Sequence, residues 1–414
     1  MSHTLDVYLH NKLTGKLTQN KSGTLSFQYD TDYVKNKHNP AISVSMPIQT
    51  EMYEGNSVKA FFSGFLPDDI VRHRLARYLG ISEKNAFGFL EVIGGECAGA
   101  LSLYPEGQIP YKVQATDIES LDDKKLREIL ELLKRRPLLV GVEDIRLSLA
   151  GAQDKIAVTV KNGQIALCKG TSPTTHILKP VILGIKDSVH NELFCMRLAQ
   201  LLDIDVPQTD IGWAGETPYF LVERYDRVRT QDNVVTRLHQ EDFCQALSVM
   251  PELKYEREGG PKIANCLEIL HIYSATPAVD RLAFIERVIF NYLIGNADAH
   301  GKNFSLLYKK VAPTLAPAYD LLSTAVIPDV SVKMAMKIGG KYDPDKVFLR
   351  HWYQLVPETT VAKRNLEKQL FKMAESCLER AMGLKSILAS QGIVSTVFDD
   401  ICAVIKTRAN WIRR

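Results

Sequence analysis

Apolar and polar residues alternate in short runs over the first 110 residues, which is typical of small strands and single helices. The elements predicted there are strands at 6–9 and 23–29, a helix within 61–80, and a hairpin around the Gly-Gly pair of 91–103. Asp68 or Asp69 can act as the N-cap of the helix, because a short carboxylate accepts hydrogen bonds from the first backbone N–H groups. The turn-rich stretch 104–110 then marks a boundary, so residues 1–110 are expected to form a small mixed subdomain.

Longer β-rich runs follow between residues 111 and 236. A helix at 121–135 is predicted from apolar residues at spacings of three and four, namely Leu126, Ile129, Leu130 and Leu133. Asn162-Gly163 joins two apolar runs and predicts a type I′ hairpin, since both central residues need a positive φ. The other elements predicted here are a strand at 175–179, a helix at 188–202 and a strand at 219–225. This order suits a β-rich nucleotide-binding lobe.

From about residue 237 onward the pattern is mostly helical. The predicted elements are a helix at 284–293, a loop at 295–303, and helices at 359–382 and 394–411. Residues 237–414 are therefore expected to form a helical lobe.

Composition narrows the class of protein only a little. The chain of 414 residues is 45% hydrophobic and 24% charged, which is ordinary for a globular protein. A net charge of +3 is too small to argue for nucleic acid as the principal ligand. The seven cysteines show no C-x-x-C or zinc-ligand spacing, and no long apolar segment or signal peptide is evident. We therefore expect a cytoplasmic protein with no membrane contact.

The loop at 295–303 carries the most informative chemistry. Asp298 and Asn303 are five residues apart, which is the Asp-to-Asn spacing of the protein-kinase catalytic loop. An Asp can accept or orient the proton of an incoming hydroxyl, and an Asn amide oxygen can ligate Mg²⁺. Asp320, which follows an apolar run, is placed to be the second Mg²⁺ ligand, although Tyr-Asp-Leu replaces the D-F-G of kinases.

Residues suited to bind phosphate occur upstream in the order expected of a kinase. Lys179 ends a predicted strand and can neutralise phosphate, and Glu192 on the next helix can pair with it. A Gly/Ala-rich loop precedes them and can let backbone N–H groups approach phosphate. Its residues are Ala150, Gly151, Ala152, Gln153, Asp154 and Lys155.

Each of these residues also has an ordinary structural interpretation. A lone loop Asp is usually a turn or cap residue, and Lys179 or Glu192 would by default be solvated. His300 can ligate a metal, but such a His more often orients its loop by hydrogen bonding. The functional interpretation depends on the joint order of the residues.

At these residues the chain resembles the HipA family of toxin–antitoxin kinases. The matching strings are 65–68, 87–88, 99–102, 148–155, 171–179, 222–227, 240–245, 296–305 and 319–320. The resemblance as a whole covers nearly the whole chain. The resemblance implies an α+β, bilobal, protein-kinase-like fold with an N-terminal subdomain, a nucleotide lobe and an all-helical C-terminal lobe. The expected boundaries are 1–110, 111–236 and 237–414.

The resemblance also implies a role for each site residue. Asp298 would be the catalytic Asp, and Asn303 and Asp320 the Mg²⁺ ligands. ATP would be bound by the Gly/Ala loop, by Lys179, His300 and Lys302, and by Glu223 and Tyr225, which would meet adenine through backbone groups. The chain departs from the family pattern at Asp154, where members carry Glu, which changes reach but not charge.

Ser148 matches the serine that these kinases phosphorylate on themselves. A phosphate there would repel the phosphates of ATP and switch the enzyme off. The family further implies a HipB-type helix-turn-helix antitoxin, contact with operator DNA mainly through that antitoxin, and growth inhibition by phosphorylation of a cellular protein. Family substrates include aminoacyl-tRNA synthetases, notably the glutamyl enzyme.

Three alternatives stay open at this point. A small-molecule phosphotransferase would share the fold, since fold does not fix the substrate. A catalytically silent module that only binds an antitoxin would not need Asp298, Asn303, Asp320 and Lys179. A metallohydrolase using Asp298, His300 and Asp320 would explain neither Lys179 nor the Gly/Ala loop.

Overall fold

The computed structural model describes residues 3–110, 118–142, 146–168, 173–232 and 234–413. Its chain separates into two compact units. Unit 1 comprises Met1–Pro180, Gly212–Glu252 and Ser305–Ala316. Unit 2 comprises Val181–Ile211, Leu253–Phe304 and Pro317–Arg414. The expected boundaries at 110 and 236 stay predictions, and Thr171 and Ser172 of the matching strings lie outside the described residues.

Unit 1 begins with an antiparallel sheet in the order β4-β3-β2-β1-β5. Its strands are β1 (His3–Leu9), β2 (Lys12–Gln19), β3 (Leu25–Tyr29), β4 (Tyr53–Glu54) and β5 (Leu101–Pro105). The helices of this part are α1 (Thr31–Lys35), α2 (Asn56–Ser63), α3 (Asp69–Leu79) and α4 (Ala86–Ile93). Phe27 of β3 and Phe61 and Phe62 of α2 are fully buried and form part of the core. Asp68 occupies the N-cap position of α3, but its side chain makes no capping hydrogen bond, so only the predicted position is confirmed.

The hairpin predicted around the Gly-Gly pair is wrong. Residues up to Ile93 belong to α4, in which Phe87, Leu90 and Ile93 are buried at spacings of three. The Asn85 side chain caps this helix by accepting a hydrogen bond from the Gly88 N–H at 3.1 Å. The glycines therefore end a helix, and β5 pairs with the distant β1 rather than with a neighbouring strand.

A second sheet follows in the order β10-β11-β9-β7-β8-β6. Its strands are β6 (Ile118–Ser120), β7 (Ile156–Lys161), β8 (Gln164–Cys168), β9 (His176–Pro180), β10 (Thr209–Ala214) and β11 (Thr217–Glu223). The amphipathic helix α5 (Asp123–Leu133) buries Leu126, Leu130 and Leu133. Asn162 and Gly163 have φ of 50° and 77°, so the predicted hairpin between β7 and β8 is confirmed.

Short strands complete unit 1. A two-stranded sheet is formed by β12 (Arg227–Arg229) and β13 (Val235–Arg237), and a three-stranded one by β14 (His239–Asp242), β15 (Ser305–Tyr308) and β16 (Thr314–Leu315). The short helix α7 (Phe243–Ala246) follows β14. These last strands interrupt the region after residue 237, which is mostly helical as predicted but not all-helical.

Unit 2 is built from helices. They are α6 (Ser188–Leu201), α8 (Ile263–Tyr273), α9 (Pro277–Ile294), α10 (Leu349–Trp352), α11 (Thr360–Ser390) and α12 (Val397–Ile412). Fully buried side chains from these helices form its core, among them Phe194, Phe284, Leu370 and Ile401. Across the described residues, no helix has both the length and the apolar character needed to cross a membrane.

Candidate active site

The loop 295–303, here called the catalytic loop, begins where α9 ends. Gly295 caps α9 with a φ of 71°, a left-handed conformation that glycine adopts without strain. A Cβ on Gly295 would lie 2.7 Å from the Cβ of Ala325 and 2.8 Å from a methyl carbon of Val404. The chain therefore needs glycine at the point where it leaves the helix for the loop.

Asp298 lies in the middle of this loop with its side chain 48% exposed. Its carboxylate accepts a hydrogen bond from the Tyr255 hydroxyl. Its backbone N–H donates to the Asn296 side-chain oxygen at 3.1 Å. One carboxylate oxygen also lies 4.0 Å from Nε2 of His300. These contacts orient a carboxylate that solvent, and hence a hydroxyl group, can still reach.

Asn303 and Asp320 lie side by side in unit 2. The Nδ2 atom of Asn303 is 3.5 Å from the Oδ2 atom of Asp320. Asn303 ends a short 3₁₀ turn (Gly301–Asn303), and its Oδ1 accepts the His300 backbone N–H at 3.2 Å. Asp320 has a φ of 53°, which a short polar side chain tolerates better than most. The sequence predicted these two residues as partners, and the structure brings them together.

One carboxylate and one amide suit Mg²⁺ bound with a nucleotide. Mg²⁺ usually keeps several waters and takes one or two carboxylates together with substrate phosphates, rather than a closed protein cage. The described residues contain no group of three or more His, Cys, Asp or Glu side chains that could hold a metal alone. The donor set of Asn303 and Asp320 therefore fits Mg²⁺ better than it fits zinc.

His300 and Lys302 also lie in the catalytic loop, and both side chains are buried. The His300 ring meets the Tyr255 ring edge-on at 5.1 Å between centroids. The Lys302 carbonyl accepts a hydrogen bond from the Tyr319 hydroxyl at 2.8 Å. Their contacts with ATP stay predictions. Glu192 is buried on α6, and its pairing with Lys179 also stays a prediction.

The segment 148–155 of unit 1, here called the phosphate loop, is held by both backbone and side-chain hydrogen bonds. Gly151 has a φ of 110°, and its carbonyl accepts the Asp68 N–H at 3.1 Å. The Lys155 Nζ donates to the Ala150 carbonyl at 2.8 Å. A Cβ on Gly151 would collide with that Nζ, so glycine leaves room for the lysine to fold back over the loop.

The other side chains of the phosphate loop differ in exposure and contacts. Ala152 is exposed at the tip. Gln153 donates to the Pro180 carbonyl at 3.2 Å. Asp154 forms an ion pair with Arg74 at 2.5 Å, so its charge is compensated by α3. Asp154 is thus engaged in a structural contact, which the sequence alone did not indicate.

Ser148 is completely buried. Its hydroxyl donates to the Phe65 carbonyl at 2.7 Å, and its backbone N–H donates to the Glu96 carbonyl at 2.9 Å. The Glu96 N–H in turn donates to the Arg146 carbonyl at 2.9 Å. The serine is therefore docked against the N-terminal part of unit 1 and cannot be modified in this conformation.

Lys179 is buried on β9, and its Nζ lies 5.8 Å from the centre of the Phe220 ring. Phe220 is its antiparallel partner on β11. The same pairing brings Glu223 opposite His176. Burial, aided by Arg229, lowers the pKa of His176 to about 4, so this histidine is neutral at pH 7 and does not neutralise Glu223. Tyr225 hydrogen-bonds to the Gln240 side chain.

A buried cluster of charges fixes the turn that follows Glu223, and the sequence analysis missed it. Arg224 and Arg227 both contact one carboxylate oxygen of Glu96, at 3.2 and 2.6 Å. They also pair with Asp226, both at 2.9 Å. Despite burial, the nearby arginines, Arg227 first, hold the pKa of Glu96 below its usual range. No periodic signal in the sequence linked Glu96 to the distant arginines.

Comparison with protein families identifies the chain. The family model described as HipA N-terminal domain matches residues 5–104. The family model described as HipA-like C-terminal domain matches residues 147–382, which is more than half of the chain. The chain belongs to the HipA family. A Sinorhizobium fredii protein named "Putative kinase Y4mE" is 41% identical to it over 91% of this chain and 90% of that protein.

Two further similarities come from Shewanella oneidensis. A protein named serine/threonine-protein kinase toxin HipA is 29% identical over 85% of this chain and 82% of its own length. A solved structure of HipA with HipB and operator DNA matches with a TM-score of 0.82 at 25% identity, covering 98% of this chain and 95% of that one. These similarities confirm the expected α+β, kinase-like fold and the assignment of the chain as a kinase of the HipA family.

Proposed function

We propose that this chain is the toxin of a type II toxin–antitoxin pair and acts as an ATP- and Mg²⁺-dependent serine/threonine-protein kinase. The observation that carries the proposal is the arrangement in unit 2. There, the side chains of Asn303 and Asp320 lie 3.5 Å apart, and Asp298, on the same loop as Asn303, accepts a hydrogen bond from the Tyr255 hydroxyl. A metallohydrolase would need more ligands than this pair supplies.

Asp298 would act on the hydroxyl of the protein substrate. Its carboxylate would orient that hydroxyl and take its proton as the oxygen bonds to the γ-phosphorus and the bond to ADP breaks. Asn303 and Asp320 would hold Mg²⁺, which would neutralise charge on the phosphates. The half-exposed carboxylate of Asp298 supports this role, because a fully buried one could not reach a protein hydroxyl.

Residues of unit 1 would bind the nucleotide. Lys179 and the phosphate loop would contact the phosphates, and Glu223 and Tyr225 would meet adenine through their backbone groups. His300, Lys302 and Glu192 complete the proposed set. Phosphate added to Ser148 would bring roughly −1.5 to −2 charges into a buried position and would stop the loop from receiving ATP.

The partner would be a HipB-like antitoxin, with DNA contacted mainly through it. The basis is the Shewanella structure, whose title names HipA, HipB and operator DNA. A HipB-type protein should then elute with this chain as one peak in gel filtration, and separate elution would contradict the proposal. We propose a cytoplasmic location, because a DNA-bound antitoxin and an aminoacyl-tRNA synthetase substrate are both cytoplasmic.

The decisive experiment follows γ-phosphate from ATP and Mg²⁺ onto protein, with mass mapping of the product. Wild type should label Ser148 and a protein in cell lysate, and Asp298→Asn should lower the rate by about 10²–10⁴-fold. Asp329→Asn is a matched control, since Asp329 is an exposed aspartate of unit 2. A folded, initially unphosphorylated wild type that labels nothing would favour a silent antitoxin-binding module instead.

A further inference from the structure

Asn191, which the sequence analysis did not single out, makes an unusual pair of hydrogen bonds. It lies in the first turns of α6 and is 2% exposed. Its Nδ2 donates to the Ser323 carbonyl at 2.8 Å, and its Oδ1 accepts the Ser323 N–H at 2.8 Å. One amide thus satisfies both backbone groups of a single buried residue, which fixes the position and the orientation of that residue.

The residue held in this way lies three positions after Asp320. Leu321, which lies between them, and Ser323 itself are both buried. Asp320 has the left-handed φ of 53°. Asp tolerates this conformation better than most residues, but it still costs free energy, so surrounding contacts help to hold it. The bonds from Asn191 supply such contacts on the C-terminal side of Asp320.

The catalytic loop holds the same segment on other sides. The Asn296 Nδ2 donates to the Asn291 side-chain oxygen at 2.8 Å and lies 3.5 Å from the Asp320 carbonyl. The Thr324 hydroxyl donates to the Gly295 carbonyl at 3.1 Å and accepts the Ala297 N–H at 2.8 Å. The segment around Asp320 is therefore tied to the catalytic loop directly and to α6 through Asn191.

We propose that Asn191 is a positioning residue for the metal site: it holds Asp320 at the place where its carboxylate, beside Asn303, can bind the divalent cation. The inference rests on the proposed function, in which Asp320 is a ligand of the divalent cation. Without this amide, two buried backbone groups of Ser323 would lose their partners, and the segment would relax toward water to satisfy them. Asp320 would then leave the position 3.5 Å from Asn303.

Glu192 follows Asn191 directly on α6. The same helix therefore carries both the proposed partner of Lys179 and the residue proposed to position Asp320. A displacement of α6 would thus reach the metal site through two hydrogen bonds.

The test measures metal binding without turnover. Mn²⁺ replaces Mg²⁺, since both favour carboxylate and carbonyl ligands, and its binding in the presence of a non-hydrolysable ATP analogue is followed by electron paramagnetic resonance. Asn191→Leu keeps the branched shape and the number of side-chain heavy atoms but removes both bonds, and should weaken Mn²⁺ binding about tenfold or more. Asp320→Ala should abolish site-specific binding.

Two matched controls separate positioning from general stability. Ser323→Ala removes a buried side chain at the same place but keeps the backbone bonds to Asn191, and should leave the Mn²⁺ affinity unchanged. Leu198→Ala destabilises the same helix from a fully buried position, and should lower the melting temperature with no change in Mn²⁺ affinity.

The outcomes are distinct. Unchanged Mn²⁺ affinity in folded Asn191→Leu, with Asp320→Ala impaired, would overturn the positioning role and leave the proposed function intact. A wild type whose Mn²⁺ binding does not depend on Asp320 would overturn the proposed function itself. If Asn191→Leu does not fold, Asn191→Asp is the second variant: it loses the donor to the Ser323 carbonyl and places a carboxylate oxygen against that carbonyl, so Mn²⁺ affinity should fall. Mn²⁺ affinity equal to wild type in Asn191→Asp would refute the role.

Discussion

The phosphate loop and the catalytic loop are stabilised in different ways. In the phosphate loop, the side chains of Ser148, Gln153 and Asp154 each make one bond, and each bond goes to a separate segment of unit 1. At the catalytic loop, the Asn296 side chain and the Thr324 hydroxyl each make two hydrogen bonds, so the same atoms are held from more than one side. Loss of one side-chain contact therefore frees a part of the first loop, whereas the second keeps further bonds around the same place. The first loop is thus suited to switching and the second to positioning.

The largest expected effect breaks the phosphate loop. Ser148→Asp places a charge at a fully buried position, and the loop can avoid that cost only by leaving its site. We expect ATP affinity to fall by roughly 10–100-fold, measured by calorimetric titration with ATP.

Ser148→Ala is the matched control for this change. It removes one hydrogen bond, worth about 1 kcal/mol, and leaves no added charge, so ATP should bind as in wild type. Equal affinities for all three proteins would show that docking of this loop is irrelevant to the nucleotide.

A smaller effect, on the rate of phosphoryl transfer, is expected when the catalytic loop loses one hydrogen bond. Tyr255→Phe removes the hydroxyl that donates to Asp298 and should reduce the rate of phosphoryl transfer about three- to tenfold, since the carboxylate loses an orienting partner. The KM for ATP should not change, because Tyr255 is not among the residues proposed to bind the nucleotide. Tyr273→Phe, a change at a partly exposed tyrosine of α8, provides the baseline, and a loss of the same size there would refute the prediction.

The smallest expected effect on activity is at Glu241 of β14, which belongs to neither loop. The quantity that this residue should change is the free energy of unfolding. Burial raises its pKa from 4.5 to about 7, partly opposed by hydrogen bonds from Ser43 and Tyr308. The native state therefore keeps a proton that the unfolded chain releases near pH 4.5. This contribution to stability is complete below pH 4.5 and is lost as pH rises to about 7, by on the order of 3 kcal/mol.

Glu241→Gln should remove that dependence and be more stable than wild type at pH 8. Denaturant unfolding of both proteins at pH 5 and pH 8 measures the difference. The buried His239 titrates in both proteins and therefore cancels. A wild type whose stability relative to Glu241→Gln does not fall with pH would contradict the assignment.

The fold was most predictable where local chemistry dominates. The Asn162-Gly163 hairpin and α5 follow from turn residues and apolar spacing, and both agree with the structure. The Gly-Gly pair misled because glycine ends helices as readily as it turns hairpins. Local signals for the helix were present, namely Asn85 as an N-cap and apolar residues at spacings of three, and the pairing of β5 with the distant β1 excludes the hairpin.

The candidate site shows the same limit. The proximity of Asn303 and Asp320 was predictable, because residue types and order point to a shared metal site. Tyr255, Asn191 and the cluster around Glu96 were not. Each acts through a contact with a residue far away in the sequence, and no periodicity or motif spacing records such a contact.

The burial of Ser148 has a consequence for time rather than for structure. Ser148 has no exposed surface, and its hydroxyl donates a hydrogen bond to the Phe65 carbonyl. It can therefore receive phosphate only after its loop has opened. Under the proposed autophosphorylation, the free energy of that opening would set how long a newly made enzyme stays active, with about 1.4 kcal/mol for each tenfold in lifetime. The packing around the Ser148 hydroxyl would then determine the lifetime of the active, unphosphorylated enzyme.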